Sequence, residues 1–133
     1  MVREGQRQRA YDTSKHLTKK SDVYSFGVVL FQLITAKRAT FQGEGTEKID
    51  LVDWANHTIA LAPIECVVDP KLEGVHDTDS LKKAAEIARL CTSKKSEERP
   101  TMCEVVAKLK DCLEIEAAAE RIRVLVNVEQ QVE

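Results

Sequence analysis

From Val23 to Ala36 the chain runs for fourteen residues without a charge, and its large apolar side chains (Val23, Tyr24, Phe26, Val28, Val29, Leu30, Phe31, Leu33 and Ile34) fall on every side of a helical projection. A helix that is apolar all round is a buried helix, so the rest of the chain has to supply its cover. The β-branched valines suit a strand, but fourteen residues is long for one. Ser21 and Asp22 are suitable caps for the start of this helix, and Lys37 and Arg38 suit the negative end of its dipole.

Three further helices are expected to cover it. After the loop marked by Gly43, Glu44 and Gly45, the positions Leu51, Val52, Ala55 and Ile59 give an amphipathic helix of about 12 residues, limited by Pro63. Cys66 to Pro70 reads as an extended piece ending in a turn, since the residue before a proline is pushed out of the helical region, and Gly74 closes this loop. A third helix is predicted over Asp79–Thr92, with Leu81, Ala84, Ala85, Ala88 and Cys91 on one face and Lys82, Lys83, Glu86 and Arg89 on the other. Pro100, with Thr101 placed three residues before Glu104, signals the start of a fourth, whose stripe is Met102, Val105, Val106, Leu109 and Leu113. Ala117 to Ala119 can prolong it, whereas Val124 to Val128 is rich in β-branched residues. The expected architecture is all-α, about four helices around a central buried helix. A polar leader (1–16) precedes the folded part (17–116), and a tail (117–133) follows it.

Charge narrows the function. The net charge is −2 with both signs interleaved, no helix carries a basic stripe, and a helix-turn-helix reading or any other nucleic-acid partner is disfavoured. Strictly apolar runs such as Val28–Phe31 reach four residues, far short of the roughly 20 that cross a bilayer, and a cytoplasmic location is expected by default. Cys66, Cys91, Cys103 and Cys112 form no Cys-x-x-Cys pair and are expected to be buried thiols. His16, His57 and His76 are scattered and read as surface or loop residues, so no metal site is expected.

The segment Leu17-Thr18-Lys19-Lys20-Ser21-Asp22-Val23-Tyr24-Ser25-Phe26-Gly27-Val28-Val29-Leu30 resembles the central buried helix of the protein-kinase C-lobe, in the form typical of plant receptor-like Ser/Thr kinases. Ala88-Arg89-Leu90-Cys91-Thr92, Glu98-Arg99-Pro100-Thr101-Met102, Leu51-Val52-Asp53-Trp54 and Val68-Asp69-Pro70-Lys71-Leu72 follow the same pattern in the right order. The resemblance covers about Leu17 to Leu113. It implies that Asp22 matches an aspartate that accepts backbone hydrogen bonds from the catalytic loop. Val29 and Leu33 match seats for the apolar stack on the adenine side, and Arg99 matches an arginine that pairs with the glutamate closing the activation segment. The parent family uses ATP and magnesium at the cytoplasmic side of the plasma membrane.

The groups that perform phosphoryl transfer are not found in these residues. Such transfer needs a Gly-rich loop, a phosphate-binding lysine, a metal-binding aspartate and a second aspartate that orients the nucleophile. The glycines at 5, 27, 43, 45 and 74 do not have the loop's spacing. Ser25-Phe26-Gly27 has serine where the metal carboxylate belongs, Val106-Ala107-Lys108 lies in a predicted helix, and His76-Asp77 lacks the intervening arginine. At the activation-segment end, Gln8 and Arg9 occupy the places of a Pro-Glu pair, which makes the leader a divergent remnant of that region. An unpaired buried charge costs about 3–5 kcal/mol, so Arg99 is expected to turn to solvent or to recruit Glu97 or Glu98.

The expectation is therefore a truncated kinase C-lobe that is catalytically inactive, with no catalytic, cofactor or metal residue of its own. The alternative is a non-catalytic interaction module that docks a protein partner, such as an intact kinase, through an exposed apolar face of helix 22–36. With three covering helices that face is expected to stay partly bare, leaving the fold marginal or adhesive.

Overall fold

The computed structural model describes residues 4–132, and the side chains of residues 19–131. The uncharged run is helical, but its helix begins far earlier than the caps suggested: α1 spans Glu4–Thr35, and Ser21 and Asp22 lie within it. The leader holds three Arg and two Gln with no proline, and such a segment can carry a helix onward once a buried segment anchors one end. At the other end, Ala36 takes a left-handed conformation (φ 58°) and its N–H bonds the Gln32 carbonyl at 2.8 Å, which ends the helix. Lys37 then places its ammonium 4.6 Å from the Phe41 ring centre and 5.0 Å from that of Trp54.

A short hairpin follows, which the helical reading did not anticipate. Strands β1 (Thr40–Gln42) and β2 (Lys48–Asp50) pair antiparallel with Phe41 opposite Ile49. Three residues per strand are too few to show a period of two in the sequence. Asp50 ends β2 and caps α2 (Leu51–Leu61), accepting a hydrogen bond from the Asp53 N–H at 3.1 Å.

The stretch expected to be extended is instead two 3-10 turns, Ile64–Cys66 and Pro70–Leu72, with Val67 and Val68 buried between them. Asp69 starts the second turn by accepting from the Lys71 N–H at 3.1 Å, and its own N–H donates to the Ile34 carbonyl at 2.8 Å. The segment thus satisfies an orphan carbonyl at the end of α1. Helix α3 spans Thr78–Cys91 and α4 spans Met102–Val132. The capping box of α4 is reciprocal: the Glu104 N–H reaches Thr101 Oγ1 at 3.2 Å, and the Thr101 N–H reaches the Glu104 carboxylate at 3.3 Å. Val124 to Val128 stay helical, because β-branched residues cost only tenths of a kcal/mol each in an established helix (~0.7 at most).

Two hydrophobic clusters hold these parts. Phe31 and Ile34 of α1 meet Leu51, Val52 and Ala55 of α2, Val67 and Val68 of the turns, and Ala85 and Ala88 of α3. Val23 joins Ile87 and Cys91 of α3 and Val105 and Cys112 of α4. Where the side chains of α1 are described, the helix is covered on one side, and Val29 and Leu33 remain 49% and 69% exposed. Met102, Val106 and Leu113 are also exposed, since α4 turns Val105, Leu109 and Cys112 toward α3. Cys91 and Cys112 are buried free thiols, but Cys66 and Cys103 are exposed, against the expectation for all four. His57 and His76 are exposed, and the His16 side chain lies outside the described residues.

Candidate functional site

Asp22, Val29 and Leu33 follow one another at i, i+7 and i+11, within about 40° on a helix, while Phe31 lies about half a turn away. That spacing sorts α1 into a packed side and a bare one: Phe31 is fully buried, and Asp22, Val29 and Leu33 are all exposed. The stripe borders an apolar groove of ≈ 420 Å³, whose walls include Leu33, Leu72, Leu81, Leu109 and Leu113.

Arg99 is placed apart from that stripe, in the link between α3 and α4. It stays half-buried and takes neither expected course. Its Nε donates to the Ser93 carbonyl at 2.8 Å and its Nη1 to the Lys20 carbonyl at 3.1 Å, while the guanidinium carbon sits 4.9 Å from the centre of the Tyr24 ring. Lys20 Nζ in turn donates to the Arg99 carbonyl at 2.5 Å. Carbonyl dipoles and an aromatic face satisfy a partly buried guanidinium without an acid. Glu98 accepts from Ser93 Oγ at 3.1 Å instead. The side chains of Gln8 and Arg9 lie outside the described residues.

Burial raises the Tyr24 hydroxyl above its usual pKa, with Asp50 and Asp53 adding to the shift and Arg99 opposing it. Burial likewise raises the thiols of Cys91 and Cys112, which keeps them protonated and unreactive at neutral pH. Sequence reasoning found Arg99 but not its partners Lys20, Tyr24 and Ser93, because a side chain that bonds carbonyls leaves no complementary charge to search for. Replacing Arg99 by Lys removes the fork that reaches two carbonyls and is expected to lower stability by about 1–2 kcal/mol. The urea midpoint of the variant checks this.

Among the described residues no group of three or more His, Cys, Asp or Glu side chains is arranged to hold a metal ion, and Ser25 cannot supply a carboxylate.

Comparison with known proteins decides the family: a model described as protein tyrosine and serine/threonine kinase matches residues 10–109. The chain belongs to the protein kinase family. A probable LRR receptor-like serine/threonine-protein kinase of Arabidopsis thaliana is 40% identical over 113 residues, covering 85% of this chain and 13% of that protein. An EPD1-interacting receptor-like cytoplasmic serine/threonine-protein kinase of Nicotiana benthamiana is 42% identical over 106 residues, covering 79% of this chain and 23% of that protein. The receptor-like protein kinase ANXUR1 of Arabidopsis thaliana is 38% identical over 113 residues, with 85% and 13% covered. The chain therefore spans less than a quarter of the length of these kinases. Its helices are the all-α part of a kinase C-lobe, with a small hairpin added between α1 and α2. No helix among the described residues is long and apolar enough to cross a membrane.

Proposed function

We propose that these residues are the helical scaffold of a receptor-like Ser/Thr kinase, a C-lobe piece that seats catalytic parts and transfers no phosphate by itself. The observation that carries this reading is the sorting of α1, in which Phe31 is fully buried while Asp22, Val29 and Leu33 stand exposed together on the other side. In this reading Asp22 receives backbone N–H groups of a catalytic loop, Val29 and Leu33 seat apolar side chains from the adenine side, and Arg99 fixes the join to the activation segment. ATP and magnesium belong to the parent protein, which works on the cytoplasmic side of the membrane, and this chain binds neither.

The test is direct. The purified chain, mixed with ATP labelled on its γ-phosphate, magnesium and a generic protein substrate, is expected to give no incorporation above a boiled control. Transfer above that control defeats the reading.

A second reading makes the same stripe a docking surface for a protein partner such as an intact kinase. The apolar groove beside Leu33 favours it, since a contiguous exposed apolar surface commonly marks an interaction site. Size-exclusion chromatography separates the two readings: a single defined species supports a docking module, and a polydisperse, dye-binding profile supports a scaffold deprived of its cover.

A further inference from the structure

Beyond Cys112, α4 buries none of its described residues, yet the helix continues to Val132 along the start of α3. Apolar packing does not hold this outer half, and its attachment is polar. Glu116 Oε1 accepts a hydrogen bond from the Asp77 N–H at 2.7 Å and another from Ser80 Oγ, and Glu116 Oε2 lies 3.4 Å from His76 Nδ1. Two turns beyond, Arg123 donates to the Val75 carbonyl at 2.9 Å and pairs with Glu120 at 3.2 Å. Between these contacts lies an open cleft of ≈ 560 Å³ walled by Ile115, Ala118, Ala119 and Ile122 on one side and Asp77, Thr78 and Asp79 on the other.

The positions that Glu116 meets are specific. Asp77 is the N-cap of α3 and bonds the N–H groups of Asp79 and Ser80. In a capping box, the residue at the third helical position reaches back to the N–H of the cap. Ser80 holds that third position and its side chain is too short for the task, so Glu116, 39 residues along the chain from Asp77, supplies the carboxylate, which accepts from the Asp77 N–H and from the Ser80 hydroxyl alike.

We propose that Glu116 completes the capping box of α3 from another helix and thereby latches the outer half of α4 to the lobe, so that loss of its negative charge releases residues 117–132. The device couples two helix ends through one titratable group. Facing that group are His76 and Asp77 from the turn, the Ser80 hydroxyl from α3, and Arg123 from α4 itself. Partial desolvation alone would raise the Glu116 pKa, but the hydrogen bonds from Ser80, Asp77 and His76 outweigh it and hold the carboxyl below its usual range. A carboxyl with a lowered folded pKa contributes stability above the ordinary glutamate range and loses it as pH falls through the folded value. His76 adds attraction to the carboxylate rather than repulsion, so the latch opens only when Glu116 itself takes a proton.

Amide hydrogen exchange on the full chain tests the latch, with Glu116→Gln removing the charge and Glu114→Gln, at an exposed position on the same helix, as the control. In Glu116→Gln, protection of residues 117–132 and of 77–80 is expected to fall together by about tenfold at neutral pH, the loss of one charge-assisted bond. The unaltered chain is expected to show the same paired loss on acidification, and Glu114→Gln to behave like the unaltered chain at every pH. Unchanged protection of 117–132 in Glu116→Gln overturns the proposal, as does a loss confined to 77–80, which would leave Glu116 a cap and no latch.

Discussion

Phe31→Ala is expected to abolish cooperative folding of the lobe, or to lower its stability by about 3–5 kcal/mol where a transition can still be measured. Phe31 is fully buried at the centre of the larger cluster, where α1, α2, α3 and the Val67–Val68 segment converge. A domain of this kind has about 5–15 kcal/mol in total, and one with a bare helix face sits toward the low end. Leu33→Ala provides the internal control. It removes a side chain of similar size from the same helix, but one that is 69% exposed, and is expected to shift stability by no more than about 0.5 kcal/mol. Urea titrations followed by far-ultraviolet circular dichroism compare the pair. Equal losses from the two variants would mean that α1 is not sorted into a packed and a bare side as described.

That contrast also separates what the sequence disclosed from what it withheld. The apolar run at Val23–Ala36 announced a helix meant for burial on all sides, and the order of the motifs announced the family. Which side is packed could not be read from a helix apolar all round, because such a helix has no polar face to mark the outside. Capping was legible where it was local, as at Thr101 with Glu104, because both partners lie within one turn. It was illegible at Glu116, whose partners lie 36 and 39 residues away. The hairpin was too short to display a period, and the length of α1 escaped because Ser21 and Asp22 are good caps that the helix does not use.

The candidate site divides in the same way. Asp22, Val29 and Leu33 were named from resemblance, and the helical spacing that puts them on one stripe follows from their numbers alone, whereas its exposure does not. Arg99 was named too, but its charge is met by the carbonyls of Lys20 and Ser93 and by the Tyr24 ring, none of which an acid-seeking argument would select. The Arg99 bracket meets α1 at Lys20 and Tyr24, on either side of Asp22, whereas Val29 and Leu33 lie more than a turn further along. Damage to the bracket is therefore expected to leave the Val29–Leu33 end of the stripe standing, since distant sites without shared partners act nearly independently.

Gly27→Val is the second large effect, and its sign runs against ordinary helix propensity. At an exposed helical position, replacing Gly by Ala gains roughly 0.5–1 kcal/mol. Here a Cβ would lie 2.7 Å from Cys91 Cβ, 2.7 Å from Thr92 Cγ2 and 3.2 Å from the Ala88 carbonyl oxygen. None of these atoms can swing away. Cys91 Cβ is fixed to the backbone, the Ala88 oxygen is backbone, and Thr92 is β-branched, with its hydroxyl donating to that same Ala88 oxygen at 2.8 Å. The missing side chain lets α1 and α3 approach closely, and that approach brings Val23 onto Ile87 and Cys91 in the smaller cluster. Valine adds two further carbons to the clash and is expected to force the helices apart at a cost of about 3 kcal/mol, with alanine costing about 1 kcal/mol. Thermal melts of both variants rank the effect. A stabilised Gly27→Ala protein would show that α1 and α3 can separate freely, and would remove the reason for glycine at this position.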